Sequence, residues 1–377
     1  MKRFLFIGHD ASRTGAPMVL LHFLRWLKEN FSEITPDLML LKAGELEAEY
    51  RKVANVYVMR RGSDDSFTRR GTKYLRKKWG IEKKTSLPHP KLLFRKYDAV
   101  IANTAVSIEH LKHFKRKGVT TFCWLHELDF ILHDYYSTER FVGLSADIDN
   151  FIVVSEAGRR MVEKFGIDKK TNLVYEFSAA RVSTAHNAAS VRQELGIPAN
   201  AFVVGACGTA EWRKGVDLFL QMAVKLKEVY FLWVGDTLGP GNSDYRRLMH
   251  DLDRYNLGRR MIFTGSQKDP HKFFSAMDIF ALTSREDPFP LVCLEAASLS
   301  KPIICFDGAG GMPEFVENDA GAVVQYGDVD AFCEQIQFFN ENRQRLTEAG
   351  KTAHNKVKAR FSAESLCRKM YDILTDG

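Results

Sequence analysis

Short apolar segments rich in branched and aromatic residues alternate along the chain with longer segments that have the apolar spacing of helices. This alternation predicts parallel sheets wound with helices. The first series of predicted strands lies at residues 4–8, 37–41, 55–59, 98–102, 120–125, 151–154 and 172–176. The second lies at residues 202–207, 229–235, 260–265, 277–282, 302–306 and 322–325. The pattern therefore predicts two doubly wound α/β domains.

A small, polar segment without periodicity, residues 178–190, separates the two series and has the composition of an interdomain linker. The sequence predicts an N-terminal Rossmann-like domain at residues 1–180, a linker at 181–190 and a C-terminal Rossmann-like domain at 191–355. The remaining residues have a helical pattern only. Ligands of such sheets bind beyond the carboxyl ends of the strands, so we expect a site in a cleft between the domains.

Composition narrows the class of protein. The 377 residues are 45% hydrophobic and 27% charged, which excludes disordered and fibrous chains. No apolar run approaches the roughly 18 residues that span a bilayer, and His9 and Asp10 interrupt the first apolar stretch, so neither a signal peptide nor a membrane span is predicted. Six scattered cysteines without a C-x-x-C pair indicate reduced thiols, no zinc site and a cytoplasmic protein.

Positive charge is concentrated in one N-terminal region. The chain has a net charge of +7, but residues 51–96 hold 15 Lys and Arg against three acidic residues, a net charge of +12. Such a segment suits anionic lipid headgroups or nucleic-acid phosphates, or it is a solvated loop and helix. We predict that this face docks on an anionic membrane surface, and we do not expect nucleic acid as a partner.

The segment at residues 284–306 contains an acidic, Pro-rich turn followed by a helix that starts near Pro290. Asp287 precedes this helix and Glu295 lies inside it, with seven residues between them. A helix N-terminus suits a diphosphate, and two neighbouring carboxylates can accept hydrogen bonds from sugar and ribose hydroxyls. The alternative is an ordinary helix cap and a solvated glutamate.

Other strand-to-helix junctions carry further candidates. Gly208 marks a turn after the strand at 202–207, and Arg213 and Lys214 precede the next helix, where cations can neutralise phosphate charge, although such residues are commonly solvated. The remaining candidates are Gly310 and Gly311 for close backbone approach, Glu314 in the helix after them, Gly15 at the first helix start as an anion nest, and His126 as a donor to a substrate hydroxyl.

These residues carry a resemblance to the family 4 retaining glycosyltransferases. The family pattern G-R-L-x-x-x-K-G is similar to residues 208–215, and the pattern of two acids separated by seven residues, with P-F between them, is similar to residues 287–295. The Gly-Gly-x-x-Glu element resembles residues 310–314, residues 151–160 resemble the strand and turn before the linker, and residues 360–374 resemble the final helix of the family. The resemblance covers nearly the whole chain and is strongest at residues 191–317.

The resemblance implies the GT-B fold, in which two Rossmann-like domains face each other and a C-terminal helix, here residues 356–377, returns to the first domain. It further implies that Lys214 contacts phosphate, that Asp287 contacts the donor sugar and that Glu295 contacts the ribose. The segment from Pro290 would hold phosphate through the backbone amides of Leu291 and Val292. Glu314 would contact the sugar or the same loop.

The chain departs from the family pattern at three places. Asp287 replaces the usual Glu, which alters which donor sugar fits, and Thr209 replaces the arginine that follows the glycine, so one phosphate cation is missing unless Arg213 replaces it. The N-terminal Gly-Gly loop is reduced to Thr14 and Gly15.

Other functions fit the sequence less well. Three Asp-x-Asp pairs, at 147/149, 251/253 and 328/330, lie in strand-border or helical contexts rather than in a metal site, and no G-x-G-x-x-G or P-loop is present. A non-enzymatic alternative is a basic nucleic-acid-binding or membrane-surface scaffold with an inactive GT-B fold, but the intact Lys214, Asp287 and Glu295 argue against it.

The sequence thus predicts a metal-independent retaining glycosyltransferase without a cofactor, at the cytoplasmic face of the membrane, whose predicted catalytic set is Lys214, Asp287 and His126. The expected donor is a UDP- or GDP-sugar, and the expected acceptor is a glycan or lipid-linked saccharide in surface polysaccharide synthesis. The leaving phosphate itself would accept the proton of the acceptor.

Overall fold

The computed structural model describes residues 2–59, 87–115, 118–177 and 186–376. The chain forms two compact units. The N-terminal unit is Met1–Val153, Arg159–Val174 and Cys367–Gly377, and the C-terminal unit is Val154–Gly158 and Tyr175–Leu366. These boundaries differ from the predicted domain boundaries. Residues Val154–Gly158 group with the C-terminal unit, and residues Cys367–Gly377 group with the N-terminal unit.

The N-terminal unit contains a seven-stranded parallel sheet in the order β3-β2-β1-β4-β5-β6-β7. Its strands are β1 Phe4–Gly8, β2 Asp37–Leu40, β3 Asn55–Val58, β4 Ala99–Asn103, β5 Thr120–Leu125, β6 Asn150–Val153 and β7 Lys170–Leu173. Every residue of β1 and β4 is buried, as expected for central strands that are covered on both faces.

The C-terminal unit contains a six-stranded parallel sheet in the order β10-β9-β8-β11-β12-β13. Its strands are β8 Phe202–Cys207, β9 Val229–Val234, β10 Met261–Phe263, β11 Ile279–Leu282, β12 Ile303–Phe306 and β13 Gly321–Val324. Phe219 of the helix after β8 packs edge-on against Phe231 and Trp233 of β9, in the core between sheet and helices. In each sheet the chain reverses its direction of growth beside the first strand, which is the doubly wound arrangement.

The helices cover the sheets. In the N-terminal part of the chain they are α1 Gly15–Asn30, α2 Glu47–Tyr50, α3 Pro90–Leu93, α4 Lys112–Lys115, α5 Asp129–Tyr135, α6 Thr138–Leu144 and α7 Glu156–Lys164. After them come α8 Ala188–Glu194, α9 Val216–Lys225, α10 Ser243–Arg254, α11 His271–Ser275, α12 Leu291–Ser298, α13 Met312–Val316, α14 Val329–Glu341, α15 Arg343–Arg360 and α16 Ala363–Asp376. Short 3₁₀ helices lie at Ala105–His110, Ser145–Asp147 and Trp212–Lys214.

The strands that the sequence predicts are all present among the described residues, with ends that differ by at most three residues. The predicted fold class, α/β with two Rossmann-like domains, is therefore confirmed. The predicted linker is interrupted, because Asn187 accepts a hydrogen bond from the amide of Ala189 and so starts α8 at Ala188. Residues 178–185 of that segment lie outside the described residues, as do residues 60–86 of the basic segment.

The end of α16 belongs to the N-terminal unit, as predicted for the final helix. The ring of Tyr371 stacks on Phe31 with centroids 4.2 Å apart, and it lies edge-on to Phe4 of β1 at 6.3 Å. The guanidinium of Arg368 lies 4.9 Å from the ring centroid of Trp26 in α1. Aromatic packing thus fixes the helix to this unit. Within the described part of the chain, no helix is both long and apolar enough to span a bilayer.

Candidate active site

The predicted donor-side residues of the C-terminal unit lie after β8, β11 and β12, which are neighbours in the sheet. Between β8 and β11 the strand order reverses, so the loops that follow these two strands diverge to opposite faces of the sheet. This switch point is where open α/β sheets bind their ligands.

The turn after β8 brings Lys214 against the end of β11. Gly208 and Gly215 have φ values of +145° and +71°, which L side chains rarely adopt. A Cβ atom on Gly215 would lie 2.0 Å from the carbonyl oxygen of Thr283, so only glycine permits this approach. The hydroxyl of Thr283 donates a 2.9 Å hydrogen bond to the carbonyl of Lys214. The backbone of Lys214 is thereby fixed beside β11.

Lys214 and Asp287 form an ion pair between the Nζ and Oδ2 atoms. The two side chains are 17% and 9% exposed, so the pair is largely removed from water. The hydroxyl of Ser284 donates a 3.2 Å hydrogen bond to the same carboxylate oxygen of Asp287. The structure therefore brings together two residues of the predicted catalytic set. Their roles toward a substrate stay predictions.

Arg213 contacts the loop after β11. Its guanidinium donates a 3.0 Å hydrogen bond to the carbonyl of Glu286 and lies 3.2 Å from the carboxylate of Glu211. The contact with Glu286 joins the β8 turn to the β11 loop. The predicted phosphate contact of Arg213 stays a prediction.

The loop after β11 is joined to the glycine loop after β12. The amide of Asp287 donates to the carbonyl of Ala309 at 2.7 Å, and the amide of Gly311 donates to the carbonyl of Pro288 at 2.9 Å. A Cβ atom on Gly310, whose φ is +146°, would lie 1.7 Å from the carbonyl oxygen of Asp287. The close approach predicted for Gly310 and Gly311 is therefore an approach to the protein's own backbone.

Helix α12 begins at Leu291, with Pro290 as its N-cap and without a side-chain hydrogen bond to the cap. The predicted start near Pro290 is confirmed. The first N–H groups of a helix have no intrahelical acceptor and lie at the positive end of the helix dipole. Leu291 and Val292 are partly exposed, so this end of α12 can meet an anion.

Glu295, one turn into α12, faces His271 at the start of α11. Its Oε2 atom lies 3.3 Å from Nε2 of His271, and Nδ1 of the same ring lies 3.5 Å from Asp269. Burial by itself lowers the pKa of His271, but the neighbouring carboxylates of Glu295 and Asp269 outweigh it and raise the pKa above its usual value. Sequence reasoning missed His271, because its contact with Glu295 is tertiary and its own segment shows no motif.

Glu314 has a structural partner in the same unit. Its carboxylate accepts hydrogen bonds from the amide of Glu156 at 3.0 Å and 3.1 Å and from the amide of Ala157 at 3.4 Å. It therefore caps the first turn of α7. Burial and the adjacent Glu314 raise the pKa of Tyr175. The predicted sugar contact of Glu314 stays a prediction.

Gly15 and His126 lie in the N-terminal unit. Gly15 is exposed at the start of α1, whose N-cap, Thr14, makes no side-chain hydrogen bond to the helix. His126 follows β5, and its Nε2 atom lies 3.1 Å from Oδ1 of Asn103, the last residue of β4. Asn103 was not singled out from the sequence, although its place at a strand end gives the signal.

Members of two of the three Asp-x-Asp pairs make structural contacts, and the third pair lies within a helix. Asp149 forms an ion pair with Lys115, Asp251 and Asp253 lie in α10, and Asp328 caps α14 by accepting from the amide of Ala331 at 2.9 Å. Within residues 2–59, 87–115, 118–177 and 186–376, no group of three or more His, Cys, Asp and Glu side chains is arranged to hold a metal ion.

The C-terminal unit resembles known transferases in sequence. Residues 187–356 match the family glycosyl transferases group 1. The resemblance that the motifs carry is thus confirmed for residues 187–356, while the finer assignment to family 4 stays a prediction.

Two curated relatives come from Rhizobium meliloti. The lipopolysaccharide core biosynthesis glycosyltransferase LpsE is 30% identical over 178 residues, which cover 46% of this chain and 50% of LpsE. The glycosyltransferase LpsD of the same process is 26% identical over 63% of this chain and 66% of LpsD. The chain thus spans between about half and two thirds of the length of these relatives.

Solved structures match the whole chain. Anabaena HepE in complex with UDP and glucose has a TM-score of 0.80 at 21% identity, with 100% of both chains covered. Sucrose-phosphate synthase from Thermosynechococcus elongatus has a TM-score of 0.77 at 18% identity, covering 100% of this chain and 99% of the other. At these identities the likeness shows the fold, and the predicted GT-B class is confirmed.

Proposed function

We propose that the protein is a retaining glycosyltransferase that moves a sugar from a nucleotide-sugar donor to a glycan or lipid-linked saccharide acceptor in surface polysaccharide synthesis. One observation carries the proposal: the Lys214–Asp287 pair lies in the loops at the switch point of the six-stranded sheet, where α12 also presents its N-terminal end. A cation, a helix N-terminus and a carboxylate are the groups that a sugar diphosphate needs.

Lys214 would stabilise the departing diphosphate, whose negative charge grows most in the transition state. The N–H groups of Leu291 and Val292 would bind the same phosphates through fixed backbone dipoles, without a further charged side chain. Asp287 then has two tasks. It holds Lys214 in place before the donor binds. When the diphosphate of the donor replaces it as the partner of Lys214, Asp287 accepts a hydrogen bond from a sugar hydroxyl.

Glu295 would accept hydrogen bonds from the ribose hydroxyls of the donor, with His271 holding its carboxylate from the other side. A uridine nucleotide is the first donor to test, because HepE was solved with UDP and with UDP-glucose. GDP-sugars are the second choice.

Retention of the anomeric configuration would follow if the acceptor attacks on the face from which the diphosphate leaves. A phosphate oxygen then accepts the proton of the acceptor hydroxyl while the bond to the donor sugar breaks. The negative charge would be balanced by Lys214 and α12, so we propose that the reaction needs no metal ion. The named relatives LpsE and LpsD suggest a saccharide of the cell surface as the acceptor.

A thermal-shift screen of UDP, GDP, UDP-glucose and GDP-mannose against oligonucleotides tests donor binding, since a ligand of the folded state raises the unfolding temperature. We expect a nucleotide diphosphate to stabilise the protein and oligonucleotides to have no effect. NMR of the product of the stabilising donor then gives the anomeric configuration. An inverted product rules out retention, and stabilisation by oligonucleotides alone favours the nucleic-acid-binding alternative.

A further inference from the structure

Two adjacent hydroxyl side chains, Thr283 and Ser284, follow β11 and lie beside the Lys214–Asp287 pair. Each side chain belongs to a residue that is 1% exposed, so each hydroxyl needs a hydrogen-bond partner inside the protein. The hydroxyl of Thr283 donates to the backbone carbonyl of Lys214 at 2.9 Å. The hydroxyl of Ser284 donates to Oδ2 of Asp287 at 3.2 Å. One hydroxyl therefore contacts each member of the ion pair.

The two carboxylate oxygens of Asp287 have different surroundings. Oδ2 accepts from Nζ of Lys214 and from the hydroxyl of Ser284. Two donors occupy the two lone-pair sites of this oxygen. Oδ1 accepts no hydrogen bond from any residue that the structure describes. Because the side chain is only 9% exposed, Oδ1 is a largely buried acceptor that can still take a donor from a ligand.

We propose that Ser284 is a positioning residue that holds Oδ2 of Asp287 on the side of Lys214, so that Oδ1 is the oxygen that accepts from a hydroxyl of the donor sugar. The sugar contact rests on the proposed function. The hold on the carboxylate rests on the contacts above alone. Ser284 begins the segment at residues 284–306, but its position there does not reveal which atom its hydroxyl reaches.

The hold matters most when Lys214 turns to the diphosphate of the donor. Oδ2 then loses its charged partner. The last torsion of an aspartate side chain is broad and roughly two-fold, so a carboxylate without a partner can exchange its two oxygens by rotation. Ser284 remains in place in this state, because the next amide, that of Arg285, donates to the backbone carbonyl of Arg213 at 2.7 Å. Its hydroxyl therefore continues to hold Oδ2.

A first test needs no ligand. Lys214→Met removes the charged partner of Oδ2, as the diphosphate would, and keeps most of the side chain. The hydrogen bond from Ser284 should then contribute more, because no other donor to Oδ2 remains. Ser284→Ala should raise the unfolding equilibrium constant, measured in urea, about threefold in the wild type and about tenfold or more in Lys214→Met. Equal factors in the two backgrounds overturn the positioning role.

Ser298→Ala is the matched control for this comparison. The hydroxyl of Ser298 donates to the carbonyl of Leu294 in the same unit, at 2.8 Å. Its loss should raise the unfolding constant by the same factor in the wild type and in Lys214→Met. If the effect of Ser298→Ala depended on Lys214 as strongly as that of Ser284→Ala, the coupling would not be specific to Ser284 and the positioning role would fall.

The sugar contact is tested by calorimetric titration of UDP and UDP-glucose, or of GDP and GDP-mannose if the thermal-shift screen selects them. Ser284→Ala should leave the Kd of the nucleotide diphosphate within about twofold of the wild type, because Lys214 and α12 remain. It should raise the Kd of the nucleotide sugar about tenfold, because Oδ1 is no longer held toward the sugar. Equal weakening of the two ligands overturns the sugar contact.

Donors that lack one sugar hydroxyl, at C2, C3, C4 or C6, identify the group that Oδ1 contacts. One of them should bind the wild type about tenfold more weakly than the parent sugar and should not be weakened further by Ser284→Ala. Independent losses for every analogue overturn the assignment of Oδ1. A wild type that binds neither nucleotide sugar but shows the background-dependent loss of stability overturns the proposed function and the sugar contact, and leaves the hold of Ser284 on Asp287 standing.

Discussion

The Lys214–Asp287 pair shows how one contact serves stability and chemistry together. Two opposite charges that are largely buried stabilise each other, but each has lost hydration, so removal of one leaves the other unpaired in a poorly hydrated place. The loss of the lysine should therefore lower the free energy of unfolding and the rate of turnover for two different physical reasons. The two effects must be measured separately.

Lys214→Ala should destabilise the protein by about 3 kcal/mol because Asp287 is left unpaired. It should also lower turnover of the proposed reaction about a hundredfold, because the diphosphate loses its cation. The measurements are the free energy of unfolding in urea and the initial rate of sugar transfer.

The double variant Lys214→Ala/Asp287→Asn is the control, since it removes both charges. Its unfolding free energy should return most of the way to the wild type, while its transfer rate should stay low. Normal turnover by either folded variant would contradict the assignment of Lys214.

His271 makes stability depend on pH. Its pKa is raised in the folded state, so its stabilising contribution is complete below the pKa of the unfolded chain and is lost as the pH rises through the folded pKa. Wild type should therefore exceed His271→Gln in unfolding free energy at about pH 5, and the difference should shrink toward about pH 9.

Urea unfolding at a series of pH values measures this difference. Glu295→Gln removes the carboxylate closest to His271 and should flatten the same dependence. A wild-type advantage that grows with rising pH would show that the pKa of His271 is lowered instead.

At the scale of single residues, sequence reasoning finds what lies in a local motif and misses what arises by tertiary contact. Lys214 and Asp287 each stand in a recognisable segment, and the structure brings them together. His271, by contrast, contacts Glu295 from a segment that shows no motif. The role of Glu314 as a cap of α7 depends on a residue 158 positions away, which no local spacing encodes.

At the scale of elements, the loop after β12 depends on two glycines for different reasons. Gly310 approaches the carbonyl of Asp287 so closely that a Cβ atom would lie 1.7 Å from it. Gly308, in the same loop, has a φ of +70° but nothing within 4 Å of its Cβ position. A comparison of Gly310 with Gly308 therefore separates the effect of a steric clash from the effect of a strained backbone.

Gly310→Ala should lower the free energy of unfolding by about 3 kcal/mol or more. The new side chain makes the positive φ unfavourable, and the backbone must also move to relieve the clash. Gly308→Ala should cost only about 1 kcal/mol. Because Gly310 supports the loop that carries Asp287, its variant should also lose the thermal shift caused by the nucleotide diphosphate, whereas Gly308→Ala should keep it. Equal losses in the two variants would show that the close approach is unimportant.

The strands are the elements that sequence predicts best, because parallel strands buried on both faces form continuous apolar runs such as residues 202–207. Helix starts are harder to predict. The segment assigned to the linker contains the start of α8, which depends on one hydrogen bond from the amide of Ala189 to Asn187 rather than on hydrophobic periodicity.

At the scale of the whole molecule, the N-terminal unit is discontinuous in sequence, since it takes its last residues, Cys367–Gly377, from the end of the chain. Hydrophobic pattern identifies a final helix but does not say which sheet it covers. The family resemblance supplies that expectation, and the rings of Tyr371 and Phe31 supply the physical reason.

If this aromatic packing fixes α16, its loss should affect the N-terminal unit selectively. Tyr371→Ala removes the stacking on Phe31 and the edge contact with Phe4, and should lower the free energy of unfolding by about 2 kcal/mol. Hydrogen exchange by mass spectrometry should become faster in β1, α1 and α16, with little change in β8 and β11. Phe338→Ala is the matched control, because this ring is 44% exposed on α14 of the C-terminal unit and its truncation should leave exchange in β1 and α1 unchanged. If Tyr371→Ala increased the exchange rate more in β8 and β11 than in β1, the assignment of the helix end to the N-terminal unit would be contradicted.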